Sequence, residues 1–140
     1  MSIADNVVVE SGRLARLVMA RLKPNVDLTE AVEALCASHG FKNAIVRGAC
    51  GSLIDANVWY ASKGAPVETC ISGPGVELLN LFGEVREGKE ASQVTNLHGV
   101  VADTQGRIYA GGFVRGKNLS FITVELTLQE WVPIEGASSA

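Results

Sequence analysis

Residues 27–41 read DLTEAVEALCASHGF, and this stretch decides the fold class because it carries a complete helix signature. Asp27 stands where an N-cap carboxylate accepts a backbone amide, and Glu30 follows three residues later, as in a capping box. Apolar residues then recur at spacings of three and four, and Gly40 stands where a helix ends in a left-handed residue. The pattern predicts an α-helix over residues 28–39, with Phe41 packing back on its last turn.

The segments on either side of this helix have the character of strands. Residues 12–22 (GRLARLVMARL) are apolar and end at a Lys-Pro-Asn break, which favours a strand. After the helix, short apolar runs rich in β-branched and aromatic residues alternate with glycine-bearing turns. Strands are predicted at residues 44–46, 53–60, 67–71, 76–85, 94–103, 107–114 and 119–131, with a break at residues 48–51. The order predicts an α+β fold with a mixed, largely antiparallel sheet of about seven strands and one long helix.

Composition indicates one globular domain spanning residues 1–140, with its core at about residues 12–132 and a frayed tail at residues 135–140. Hydrophobic residues make up 47% of the chain and charged residues 19%, which excludes a disordered protein. The mean hydropathy of +0.21 lies on the apolar side for a monomer of this size. Sister subunits are therefore expected to cover part of the surface.

Several function classes are disfavoured by the same composition. The chain has no apolar run long enough to span a membrane and no signal-peptide pattern at its start, so a cytoplasmic location is expected. Cys36, Cys50 and Cys70 form no CxxC pair, which favours reduced thiols over disulfides or a thiolate zinc site. The net charge of −3 argues against tight non-specific binding of nucleic acid.

The ordered set of motifs resembles the plant and prokaryote conserved (PPC) domain family. The resemblance covers roughly residues 12–131. It is carried by residues 45–52 (IVRGACGS), 76–83 (VELLNLFG), 97–100 (LHGV), 103–106 (DTQG), 111–112 (GG) and 123–125 (TVE). It implies a seven-stranded sheet with short flanking helices, assembled as a homotrimer.

The resemblance also bears on function. In plants such domains follow AT-hook segments of nuclear DNA-binding proteins and act in assembly and partner binding, but this chain holds no Arg-Gly-Arg-Pro hook. Many prokaryotic relatives carry three histidines that together resemble a metal site, and the corresponding positions here are Asn96, His98 and Phe113. One histidine of three is too few for a standard zinc site, so we expect no metal and no cofactor.

Five polar residues are the candidates for ligand binding: His98, Glu77, Asn96, Arg47 and Arg115. His98 could act as a general base or ligand donor, or could be a half-buried histidine bonded to a backbone carbonyl. Glu77, within an apolar strand, could orient His98 or pair with an arginine, or could form an ion pair between subunits. Arg47 and Arg115 could hold a carboxylate or phosphate, or could be ordinary ion-paired arginines.

Other polar residues have simpler interpretations. Cys50 could be a nucleophile or merely a small buried residue, His39 is expected to cap the helix, and Asp103 is expected to stabilise its own turn. No catalytic residue is assigned, and the sequence leaves open whether the protein is an enzyme.

Two hypotheses of different classes follow. The first is a homotrimeric interaction module that binds itself and another protein and is associated with DNA by family description. The alternative is a small-molecule or enzymatic site at the subunit interface around His98 and Glu77, which would take a small anionic metabolite.

Overall fold

The computed structural model describes residues 2–138 of the chain. It contains one α-helix, two short 3₁₀ turns and eight strands. The 3₁₀ turns are Ile3–Asn6 and Lys89–Ala91. The main elements are β1 (Glu10–Leu22), α1 (Leu28–His39), β2 (Ala44–Leu53), β3 (Ala56–Ser62), β4 (Ala65–Ile71), β5 (Val76–Glu87), β6 (Gln93–Ala102), β7 (Ile108–Phe113) and β8 (Ser120–Ser138).

All eight strands belong to one sheet, in the order β1-β8-β2-β5-β6-β7-β3-β4. Each pair of neighbours in the described part of the chain is antiparallel. The predicted α+β class is confirmed, with eight strands where about seven were expected. No helix among the described residues is long and apolar enough to cross a membrane.

Helix α1 begins and ends as its sequence predicts. The Asp27 carboxylate accepts a hydrogen bond from the amide of Glu30 at 3.1 Å. At the other end Gly40 has φ 70°, and the amide of Phe41 donates to the carbonyl of Cys36 at 2.9 Å. His39 also fulfils its capping role, since its Nδ1 lies 2.9 Å from the carbonyl of Leu35.

The sheet has two different faces. Helix α1 covers one face with Leu28, Val32 and Cys36, which pack on buried side chains from β2, β5, β6 and β8. We call the other side the helix-free face. Since directly paired residues of antiparallel strands point to the same side, it carries Leu17 and Met19 of β1, Ile45 and Cys50 of β2, Glu77, Phe82 and Glu84 of β5, Asn96 and His98 of β6, Gly112 of β7, Trp59 of β3, and Glu125, Thr127 and Gln129 of β8.

Three predicted strands differ from the structure by more than two residues at a boundary. Residues 48–51 do not break β2: they pair in register with residues 124–127 of β8, and irregularities lie on either side, between Val46 and Gly48 and between Gly51 and Leu53. The run 53–60 is divided, because β2 ends at Leu53 and the Asp55 carboxylate accepts the amide of Gly73 at 2.7 Å in a turn. The backbone of residues 135–138 continues β8, whereas residues 139–140 of the expected frayed tail lie outside the described residues.

A buried amide joins the helix to the far strands of the sheet. Asn118 is only 1% exposed, and its side chain bonds both the amide and the carbonyl of Asn57 in β3, at 2.8 and 3.0 Å. Its own amide donates to the Asp27 carboxylate at 3.0 Å. The N-cap of α1 and the start of β3 are therefore fixed by the same short loop.

Candidate functional site

Four of the five predicted ligand-binding residues lie on the helix-free face, and one does not. His98 and Asn96 are adjacent outward positions of β6, opposite Phe82 and Glu84 of β5. Glu77 lies near the start of β5, opposite Ser52 and Ala102. Arg47 reaches the same face, where its Nη1 donates to Oε1 of Gln129 at 2.9 Å.

Arg115 lies apart from these four residues. It follows β7 and is ion-paired with Glu33 of helix α1, on the covered side of the sheet. The Glu33 carboxylate also accepts the Thr95 hydroxyl at 2.7 Å. The hydrogen bond with Glu33 raises the pKa of the Arg115 guanidinium. Arg115 therefore joins helix to sheet and does not converge with His98.

His98 is half-buried between two aromatic rings. Its ring stacks on Phe82 with centroids 5.9 Å apart and an interplanar angle of 26°, and it meets Trp59 at 6.0 Å and 60°. Within the described residues its ring makes no hydrogen bond. The environment of His98 is therefore aromatic, and the carbonyl bond considered from the sequence is not formed.

Trp59 can lie beside His98 because the facing residue has no side chain. A Cβ atom on Gly112 would stand 2.2 Å from the indole Nε1 of Trp59. An aromatic–histidine cluster of Trp59, His98 and Phe82 results, which sequence reasoning missed. Phe82 and His98 are cross-strand partners, so only the strand register could have revealed the cluster.

An open cavity of about 390 Å³ lies beside this cluster. Its walls include His98, Asn96 and Phe82, together with Glu84, and Ile45 contributes from β2. Glu84 is also ion-paired with Arg86 at 3.0 Å. The cavity thus offers an aromatic wall, an amide and an imidazole on one side, and a carboxylate that shares the Arg86 guanidinium with Glu10.

Glu77 does not reach His98 within one chain. It pairs with Ala102, which is four residues beyond His98 on β6, a separation of about 13 Å along the strand. Its side chain is exposed and forms no hydrogen bond or ion pair with the described residues. Glu77 is therefore free to contact another molecule, and it does not orient the imidazole.

The three positions that the family resemblance assigns to a metal site do not converge here. Asn96 and His98 lie on the helix-free face, whereas the buried Phe113 ring packs under Gly99 on the covered side. No group of three His, Cys, Asp or Glu side chains within the described range could hold a metal ion. The residues present do not fit the three-histidine metal site.

The three cysteines are free, and they differ in environment. Cys36 is buried under helix α1, where burial and then the charge of Glu33 raise the pKa of its thiol to about 11. Cys50 is exposed on the helix-free face, so it is not the small buried residue that the simpler interpretation suggested. Opposite Cys50 on β8 lies Glu125, whose carboxylate is ion-paired with Arg21 at 3.0 Å.

Large apolar side chains are exposed across the helix-free face. Met19 on β1 is 78% exposed, Phe82 on β5 is 56% exposed, and Leu17 on β1 is 55% exposed. Leu79, at an irregularity of β5, is 50% exposed. We call these four residues the apolar patch. Two of them lie on β1 and two on β5, with β8 and β2 between them, so they form two apolar groups on one face. Apolar groups exposed together on one sheet face favour an interaction surface.

Several solved structures share this fold. A protein from Pyrococcus horikoshii described as plant- and prokaryote-conserved superposes with a TM-score of 0.77 at 21% identity, over 89% of this chain and 85% of that one. A metal-containing protein from Archaeoglobus fulgidus gives a TM-score of 0.76 at 20% identity, over 89% and 86%. A protein from Bacteroides thetaiotaomicron named "putative DNA-binding protein" gives 0.68 at 13% identity, over 85% and 82%.

Comparison of the amino-acid sequence with known families agrees with the structural comparison. No curated protein matches the chain. The model of the Plants and Prokaryotes Conserved (PCC) domain, however, matches residues 9–132, which is nearly the whole chain. It spans every strand of the sheet except the last residues of β8. The chain therefore belongs to the Plants and Prokaryotes Conserved domain family.

Proposed function

We propose that three copies of the chain assemble through their helix-free faces into a homotrimer that serves as an interaction module. The observation that carries this proposal is the apolar patch. Met19, Phe82 and Leu17 are each more than half exposed on a sheet face that no helix covers. Contact with sister subunits would remove this surface from water, which stabilises an assembly in proportion to the area buried.

We take the number of copies from the resemblance to the PPC family. The role as an interaction module is inferred from the residues of the candidate site. The described residues bring together no metal-ligand cluster, and the carboxylate opposite Cys50, that of Glu125, is held by Arg21. The assembled domain would present three copies of helix α1 and its loops outward, to bind a partner protein. The Bacteroides neighbour's name supports an association with DNA, which we assign to such a partner because this chain is acidic.

Sedimentation equilibrium tests the assembly. The wild-type chain is expected to sediment at three times its monomer mass. The variant Phe82→Glu would bury a carboxylate with no partner, at a cost of at least about 3 kcal/mol, so its subunit dissociation constant should rise at least about 100-fold. Ala34→Glu, at an exposed position of α1, is the matched control and should remain trimeric. A monomeric wild type, or a trimeric Phe82→Glu variant, would contradict the proposal.

A second candidate function is supported by the aromatic–histidine cluster. The cavity beside His98 combines an exposed ring of Phe82 with the amide of Asn96, which suits a small planar molecule with hydrogen-bonding groups. At the subunit interface, a second copy would close the open side of this cavity. Glu84 and Glu10 share the single guanidinium of Arg86, so the rim of this cavity keeps a net negative charge, which supports a neutral or cationic ligand more than the anionic metabolite considered from the sequence.

Native mass spectrometry of protein purified from its own host tests this second function. One extra mass per subunit is expected, and it should disappear in His98→Ala. His39→Ala changes the other histidine of the chain, which lies at the end of α1, and should retain the adduct. An empty wild-type protein, or an adduct that survives His98→Ala, would rule out a ligand at this cavity.

A further inference from the structure

The helix-free face carries charged groups, and most of them are ion-paired within the chain. Arg21 of β1 pairs with Glu125 of β8 at 3.0 Å. Arg86 of β5 pairs with Glu84 at 3.0 Å and also with Glu10. Among the described side chains of this face, two charges remain without a counter-charge: the Glu77 carboxylate and the Arg47 guanidinium, whose hydrogen bond to Gln129 is with a neutral amide.

These two opposite charges cannot meet within one chain. Glu77 lies opposite Ser52 on β2, and Arg47 lies five residues before Ser52 on the same strand. The separation along the sheet is therefore about 16 Å, which is more than the two side chains can span. Between them lie Gly48 and Asn80, whose Oδ1 is 3.8 Å from the position of a Cβ on Gly48.

The helix-free face therefore carries a strip of four residues beside the apolar patch. Its negative end is Glu77, its small uncharged middle is Asn80 and Gly48, and its positive end is Arg47. A second copy that covers this face would exclude water from both ends of the strip. Buried charges without counter-charges oppose association strongly, so a stable interface must neutralise them. No described side chain of the same chain neutralises these two charges. The strip of another copy, however, carries the opposite charge at each end.

We propose that the carboxylate of Glu77 pairs with the partner subunit's Arg47 at each contact of the assembled protein. This inference rests on the proposed homotrimer and names the contact that fixes the orientation of its subunits. The planar guanidinium can donate two parallel hydrogen bonds to a carboxylate, so the pair specifies geometry as well as charge. In a closed ring each subunit gives its Glu77 to one neighbour and its Arg47 to the other.

Charge reversal tests the pair by sedimentation equilibrium. Glu77→Arg and Arg47→Glu are each expected to raise the subunit dissociation constant more than about 30-fold, because each places like charges together in a desolvated contact. The double variant Arg47→Glu/Glu77→Arg restores opposite charges at every contact and should assemble to within about 10-fold of wild type. Glu87→Arg, at an exposed position on the covered side of the sheet, is the matched control and should assemble like wild type.

The outcomes separate this inference from the proposed assembly. A monomeric wild type would overturn both. A trimeric wild type with reversal variants that assemble equally well would overturn the ion pair and leave the trimer standing. The same holds if both single variants dissociate and the double variant does not recover. Circular dichroism checks that every variant keeps its fold, which is expected because both side chains are exposed in the single chain.

Discussion

Asp103 shows how one side chain can define a turn. Between β6 and β7 its Oδ1 accepts the amides of Gln105 at 2.9 Å and Arg107 at 2.8 Å, and its Oδ2 meets the Arg107 guanidinium at 2.7 Å. Burial alone would raise the pKa of Asp103, but these donors outweigh it and hold the pKa below the ordinary value of 3.8. The role predicted for Asp103 is confirmed by these contacts.

This lowered pKa predicts a dependence of stability on pH. A carboxylate whose pKa is lower in the folded state stabilises the fold above its unfolded pKa, and the contribution is lost as the pH falls through the folded pKa. The urea midpoint of Asp103→Asn should therefore lie below that of wild type at pH 7, and the difference should shrink below about pH 3. Glu90→Gln, at an exposed loop position, should show no such trend. A difference that stays constant with pH would contradict the assignment.

The roles of residues that bond to near neighbours in the sequence were predictable, and the roles of residues that bond to sequence-distant partners were not. Asp27 and Gly40 cap the helix through bonds within a few positions, so their chemistry is visible in the local sequence. Asn118 bonds Asn57, which is 61 residues away, and Asp27, which is 91 residues away. Its neighbours in sequence give no sign of this network, because the partners meet only after the sheet forms.

Helices and strands were likewise predictable where the signal is local, and not where it depends on distant residues. The period of apolar residues predicted α1 and most strands, because burial on one face leaves a regular pattern. The division between β2 and β3 was missed, since Leu53 and Ala56 are both buried and the turn between them has no glycine or proline. Strand order was not predictable either, and it separates β3 from β2 by three other strands.

The candidate site depends on that strand order. Placing His98 and Asn96 on one face required only the alternation of side chains along β6. Placing Phe82 beside His98 and Trp59 over Gly112 required the pairings β5–β6 and β3–β7. For the same reason the sequence could not show that Glu77 and Arg115 lie away from His98. Glycine within a strand marks a close approach at Gly111, where a Cβ would stand 2.5 Å from the carbonyl of Trp59.

On the scale of the whole molecule, charge decides which partners the surface can bind. The chain has 12 basic and 15 acidic residues. Six of the basic side chains form ion pairs within the described residues. The other six are spread over separate segments, at Arg13, Lys23, Lys42, Arg47, Lys63 and Lys89. Affinity for a DNA backbone requires several cations on one face, and this distribution does not provide them.

We therefore predict that the wild-type protein does not bind duplex DNA directly. In fluorescence anisotropy at 150 mM salt the dissociation constant should be weaker than about 10⁻⁴ M, the weak limit of ordinary non-specific binders. Lowering the salt should bring little gain, because few phosphate counterions would be released on contact. Micromolar binding with a steep salt dependence would contradict this prediction, since it would show that assembly gathers the scattered cations into a basic surface. Weak binding without salt dependence would leave a partner protein as the route by which such a module is associated with DNA.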